Sequence, residues 1–163
     1  MICDKVTQVP FDFFLEKGVR AVAFDIDNTL VSYETPLPTP EVKQLLQGLA
    51  DKGVMVALVS NNSPERVETF NREMGYFSVP DSHKPLKRAL APVLSRFDVK
   101  PKELLLVGDQ LLTDVLAARL WGCYAAVVAP IKKKENLFFR FKRVLEKPFV
   151  RIYHKRKQKE NVK

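Results

Sequence analysis

Four short apolar runs constrain this chain more than any other feature. Val19-Arg20-Ala21-Val22-Ala23-Phe24 ends at Asp25, and Val54-Met55-Val56-Ala57-Leu58-Val59 ends at Ser60. Leu104-Leu105-Leu106-Val107 ends at Gly108-Asp109, and Tyr124-Ala125-Ala126-Val127-Val128 ends near Pro130. Runs that are apolar on both faces suit parallel strands buried beneath helices. Helical patterns separate them. Thr39-Pro40-Glu41 is a start signal, followed by Val42, Leu45, Leu46 and Leu49 at helical spacing and a stop at Gly53. Ser63-Pro64-Glu65 repeats it, with Val67, Phe70 and Met74 on one face and Gly75 beyond. A third helix is expected from Pro85 to about Phe97, kinked or split at Pro92, and a fourth from about Leu112 to Trp121. Tyr76 to Val79 reads as a further short strand.

Alternating strand and helix predicts an open α/β sheet with right-handed crossovers. Ligands of such sheets bind beyond the carboxyl ends of the strands. The residues to inspect are therefore Asp25 and Asp27, then Ser60 with Asn61 and Asn62, then Asp109 with Thr113 and Asp114. If the strands carrying these aspartates are neighbours, several carboxylates converge and resist joint ionisation. A divalent cation removes the conflict, and oxygen ligands with room for a phosphate suit Mg²⁺. Asp114 taken alone reads equally well as a helix cap. Ser60 offers a hydroxyl beside the Ser63-Pro64 helix start, where free N–H groups attract anions. Lys84, held before Pro85, offers a point charge to a phosphoryl oxygen, although alone it reads as a solvated lysine.

Taken together and in order, these segments resemble the haloacid dehalogenase superfamily of phosphatases, from about residue 19 to residue 130. Asp25-Ile26-Asp27-Asn28-Thr29 is similar to its DxDxT element, and Val59-Ser60-Asn61-Asn62 to its Ser/Thr element. Lys84-Pro85 is similar to the lysine element, and Gly108 to Asp114 to the acidic GDxxxxD element. The resemblance implies a three-layer, Rossmann-like parallel sheet flanked by helices. It also implies Asp25 as nucleophile and Asp27 as general acid and base. Mg²⁺ would be held by Asp25, the Asp27 carbonyl and Asp109, with Asp114 supporting that shell or orienting Lys84. Ser60, Asn61 and Lys84 would hold the phosphoryl group.

Spacing limits the substrate. Between Asp27 and Ser60, and again between Ser60 and Lys84, the elements already assigned leave no room for a cap domain. An uncovered site accepts a phosphate on something large: a protein, a nucleic-acid end or a lipid headgroup. Charge divides the chain unevenly, which sets residues 1–130 apart as a catalytic core from residues 131–163 as a basic amphipathic extension. The first region has 14 basic and 16 acidic side chains, the second 13 and 3. In the extension Leu137, Phe138, Phe141, Val144 and Leu145 fall at helical spacing among Arg140, Lys142, Arg143 and Lys147. That is the pattern of an interfacial helix on anionic lipid, and equally of a helix packed on a sheet edge.

An uncapped core with such an extension looks most like the YqeG-type bacterial group of subfamily IIIA, similar to phosphatidylglycerophosphate phosphatases. The expectation is a cytoplasmic enzyme peripherally associated with the membrane, its partner an anionic phospholipid. Nucleic-acid ends are the alternative substrate, and a non-catalytic scaffold is the reading outside enzymes. No apolar run is long enough to span a bilayer, no signal-peptide pattern opens the chain, and two cysteines, Cys3 and Cys123, make no disulfide framework. No role is read for Cys3, Cys123, His83 or His154.

Overall fold

Each of the four apolar runs becomes a strand because burial on both faces leaves its backbone no partner except a neighbouring strand. A computed structural model describes residues 1–132, which make one unit. The helix expected around Leu137, Phe141 and Val144 lies outside the described residues. The elements are β1 (Ile2–Cys3), α1 (Phe11–Glu16), β2 (Ala21–Phe24), α2 (Pro40–Asp51), β3 (Met55–Val59) and α3 (Pro64–Asn71). They continue with β4 (Phe77–Val79), α4 (Ala91–Phe97), β5 (Leu104–Gly108), α5 (Leu116–Trp121) and β6 (Tyr124–Val128). All six strands run parallel in the order β1-β6-β5-β2-β3-β4. The expected α/β class holds.

Side-chain alternation along the strands divides the interior in two. Val22, Phe24, Val56, Leu58, Leu105 and Val107 face α1, α2 and α3, packing with Phe14, Leu46 and Phe70. Ala21, Ala23, Ala57, Leu104 and Leu106 face the other way, against Leu90 and Val93 and against Ala117 and Ala118 of α5. Small residues on that second face let the helices approach closely. The result is helices on both faces of one sheet, three layers in all.

The helix starts follow their caps. Thr39 Oγ1 accepts from Val42 N–H at 3.3 Å with Pro40 behind it, and Ser63 Oγ accepts from Arg66 N–H at 3.4 Å. Gly122 ends α5 at φ 75°, a left-handed conformation suited to glycine. Other boundaries differ from expectation. The helix expected from Pro85 begins only at Ala91, after a 3₁₀ turn over Lys87–Ala89. The reason is that the Lys84 backbone is held by Asn61, and Pro92 fits the first helical turn, where no N–H is missed. The second expected helix stops at Asn71, before Met74, because the Asn71 side chain turns to bind both Tyr76 N–H (3.0 Å) and Tyr76 O (2.6 Å). β1 and α1 carried no strong pattern: two residues are too few for alternation to show.

Register fixes what the loops can do. Phe24 lies beside Leu58 on one side and Val107 on the other, so β2, β3 and β5 end level. The ladder continues one step, with Asp25 N–H donating to Val107 O at 2.9 Å. Leu58 is fully buried at this junction. Leu58→Ala is expected to cost about 2–5 kcal/mol, read as a lowered urea midpoint with an unchanged slope.

Candidate active site

Level strand ends bring residues distant in sequence to one place. Asp25 leaves β2, Ser60 leaves β3 and Asp109 leaves β5. Lys84 arrives from the loop after β4 with its side chain 1% exposed. Its ammonium donates to Asp25 Oδ1 at 2.6 Å and to the Val59 carbonyl at 2.6 Å. Asp114 Oδ1 lies 2.8 Å away, at ion-pair distance though outside hydrogen-bond alignment. Burial alone would lower the Lys84 pKa, but Asp114 and Asp25 together hold it well above the usual lysine range.

The loop that delivers Lys84 is stitched to the turn after β3. Asn61 Oδ1 accepts from Lys84 N–H and from Ser82 Oγ, both at 2.7 Å, and Asn61 Nδ2 donates to Lys84 O at 3.1 Å. Asp81 N–H donates to Asn62 O and Ser82 N–H to Ser60 O, both at 2.9 Å. These bonds offset the cost of left-handed backbone at Asp81 (φ 42°) and His83 (φ 57°). With Oδ1 and one Nδ2 proton so engaged, Asn61 keeps its second Nδ2 proton and its backbone N–H for an anion. Ser60 Oγ accepts from Asn62 N–H at 3.1 Å, which leaves its own proton to donate. His83 is exposed and its ring folds back on the Asp81 carbonyl.

Asp114 depends on a glycine. Gln110 N–H donates to Asp114 Oδ2 at 3.1 Å across a wide π-helical turn over Leu111–Val115, which replaces the start of the expected fourth helix. A Cβ on Gly108 would overlap the Asp114 carboxyl group. Asp27, by contrast, stands apart from Lys84. Arg66 donates to Asp27 Oδ1 at 3.0 Å and Asn62 Nδ2 to Asp27 Oδ2 at 3.0 Å. Arg66 also holds the carbonyls of Thr35 (3.0 Å) and Pro36 (2.8 Å), so both Asp27 oxygens and the loop after β2 are fixed together.

Arg66 and Tyr33 are not singled out by the sequence, and Asn62, expected beside Ser60 at the strand end, is not expected there as a partner of Asp27. Burial and the charges of Asp109, Asp25, Asp27 and Asp114 push the Tyr33 phenol above its usual range. Arg66 sits on a helix whose start was legible, but nothing in its spacing pairs it with Asp27.

One oxygen each of Asp25, Asp109 and Asp114 lies within 4.8 Å of the others. Thr29 Oγ1 and Lys84 satisfy Asp25, whereas Asp109 Oδ1 is buried with no hydrogen-bond partner among the described residues. Burial first, then Asp25 and Asp114, push Asp109 up to about 8 from a usual 3.8. Three carboxylates face one ammonium, so a dication would balance the cluster and give the orphaned oxygen a partner. The residues fit a divalent metal of oxygen preference.

Two consequences can be measured. Between pH 4 and about 8 the folded chain keeps a proton on Asp109 that the unfolded chain has lost. Stability in chelator is therefore expected to fall as pH rises through that window, and added Mg²⁺ to raise Tm more at pH 8.5 than at pH 5.5. A chelated Tm that does not change with pH, together with no shift on adding the cation, would remove the cluster as a metal site. Gly108→Ala is expected to cost about 1–3 kcal/mol in urea denaturation, because Asp114 must move.

The family model of haloacid dehalogenase-like hydrolases matches residues 33–122. The Bacillus subtilis protein "Probable phosphatase YqeG" is 31% identical over 132 residues, 81% of this chain and 77% of that relative. A phosphoglycolate phosphatase of Pasteurella multocida is 33% identical over 94 residues, 52% of this chain but 41% of that protein. Among solved structures, CbbY from Rhodobacter sphaeroides in complex with phosphate superposes with TM-score 0.58 at 14% identity, covering 74% of this chain and 90% of that one. The cobalt-bound deoxy-D-mannose-octulosonate 8-phosphate phosphatase of Haemophilus influenzae gives 0.54 at 14% identity, with 68% of each chain covered. At such identities these two likenesses bear on the fold. With more than half of the chain matched by the family model and four-fifths of it similar to the Bacillus protein, the chain belongs to the haloacid dehalogenase-like hydrolases.

Proposed function

We propose that this protein is a phosphatase that hydrolyses phosphate monoesters through an aspartyl-phosphate on Asp25. The observation that carries the reading is the placement of Asp25 between Lys84 and the Asp109–Asp114 pair, with Asp27 held separately by Arg66 and Asn62. An Asp25 carboxylate oxygen attacks phosphorus, and the bond from phosphorus to the ester oxygen breaks. Asp27 gives its proton to the departing oxygen, which leaves as an alcohol. Water then attacks phosphorus, Asp27 takes the water's proton, and inorganic phosphate leaves with the Asp25 carboxylate restored. Lys84, the Ser60 hydroxyl and the Asn61 backbone N–H suit the phosphoryl oxygens. Mg²⁺, held by Asp25, Asp109 and the Asp27 carbonyl with Asp114 supporting, would supply charge neutralisation at the phosphoryl group.

The physiological ester we infer is phosphatidylglycerophosphate, cleaved to phosphatidylglycerol at the membrane surface. Two features support this. The described residues between β2 and β3, and between β3 and α4, hold only short helices, one short strand and loops, so the rim stands open to a bulky substrate. The basic, aromatic residues 131–163 suit anionic lipid. The similarity to the Bacillus protein, a probable phosphatase, covers most of both chains and supports phosphatase activity rather than any particular ester. No helix among the described residues is long and apolar enough to cross a membrane, which is consistent with peripheral attachment.

Phosphate release would be compared for phosphatidylglycerophosphate in mixed vesicles, 5′-phosphorylated oligonucleotides, phosphoglycolate and p-nitrophenyl phosphate, each with Mg²⁺. The lipid is expected to show the highest kcat/KM, and Asp25→Asn to lower turnover of every ester by at least about a thousandfold while Tm is retained. An Asp25→Asn variant that turns over normally would overturn the mechanism. Preference for the oligonucleotide would move the substrate to nucleic-acid ends.

A further inference from the structure

The loop that carries Lys84 and the helix that follows Asp114 also carry leucines into solvent. Leu86 follows Lys84 by two residues and is 52% exposed; Leu116 follows Asp114 by two and is 39% exposed. Leu120, one turn further along α5 and so on the same helical face, is 47% exposed. The turn Lys87–Ala89 packs against α5, which places Leu86, the residue before the turn, close to that helix. Arg88 in that turn and Arg119 in α5 are also exposed. No aspartate or glutamate occurs from Ser82 to Phe97 or from Val115 to Pro130.

We propose that this leucine and arginine face, made by Leu86, Leu116 and Leu120 with Arg88 and Arg119, docks on an anionic lipid bilayer. The proposal deepens the reading of the site as one that acts at lipid headgroups, and rests on it. Leucines next to cations match both layers of a bilayer surface: the arginines meet anionic headgroups while the leucines enter the acyl boundary. Nucleic acid would take the arginines and leave the leucines wet. A second copy on the same face would set cation against cation across a two-fold axis. Because the leucines follow Lys84 and Asp114 so closely, docking by this face brings the open rim to headgroup level. The attachment then lies in the catalytic unit itself, distinct from the basic residues 131–163.

The test uses the full chain and vesicles of phosphatidylcholine with or without phosphatidylglycerol, at about 0.1 M and about 0.5 M NaCl, the higher salt suppressing purely ionic attraction. The variant L86S/L116S/L120S is expected to lose at least about tenfold in partitioning onto phosphatidylglycerol vesicles, most clearly at the higher salt. R88Q/R119Q is expected to lose binding at the lower salt. Both should hydrolyse p-nitrophenyl phosphate as the unaltered protein does, which also reports folding. The proposal is overturned if the leucine variant partitions normally at both salts, or if the unaltered protein binds neither vesicle. It is also overturned if the leucine substitutions only dissociate an oligomer, or if the arginine substitutions abolish a gel shift without touching vesicle binding. Loss of partitioning in the leucine variant, with no lipid phosphate released by the unaltered protein, keeps this surface and removes the lipid substrate. Lipid turnover by the unaltered protein with normal partitioning of the leucine variant does the reverse.

Discussion

A buried ammonium shared by two carboxylates is the constraint on which the site depends. Lys84 reaches Asp25 and Asp114 from inside the molecule, and the strand ends, the glycine at 108 and the turn after β5 all serve that meeting. Removing charge from water is costly, and an unpaired buried charge would not be tolerated there. The arrangement is balanced only in part, since Asp109 adds a third carboxylate with an unsatisfied oxygen. That crowding of acids, which keeps the proton on Asp109 when no cation is bound, is the physical reason a dication belongs in any account of the site.

The fold makes this cluster rigid at small expense in chain length. Parallel strands ending level place their following residues side by side, and the hydrogen bonds of Asn61 tie the Lys84 loop to the turn after β3. Arg66 performs a similar task on the other side, joining Asp27 to the backbone of the loop that follows it. Two carboxylates two residues apart thereby experience different surroundings: Asp25 faces a lysine and two other acids, Asp27 an arginine and an amide. Each carboxylate is thus held in place by its own partners.

The strands were legible because runs such as Leu104 to Val107 have no stable place except between two helical layers. The starts of α2 and α3 were legible because Thr39-Pro40 and Ser63-Pro64 act locally, through bonds to residues three positions on. Elements governed by distant partners were not. Leu111–Val115 winds as a wide turn because the Asp114 side chain is engaged with Gln110 and Lys84, and the helix expected at Pro85 is delayed because Asn61 holds the Lys84 backbone. Asn61 was expected as a phosphate ligand, and its side chain also positions the lysine loop, a task that no local pattern announces.

Sequence alone determined the layered α/β class, the alternation of strand and helix from β2 onward and which aspartates and serine stand at strand ends, since periodicity and capping act over a few residues. Tertiary structure decided which of those groups touch. The pairing of Lys84 with Asp25, 59 positions away, and of Arg66 with Asp27, 39 positions away, depends on strand order and on loop lengths measured in ångströms. No local pattern encodes either pairing, because a side chain's partner across the sheet edge is set by the packing of the whole unit.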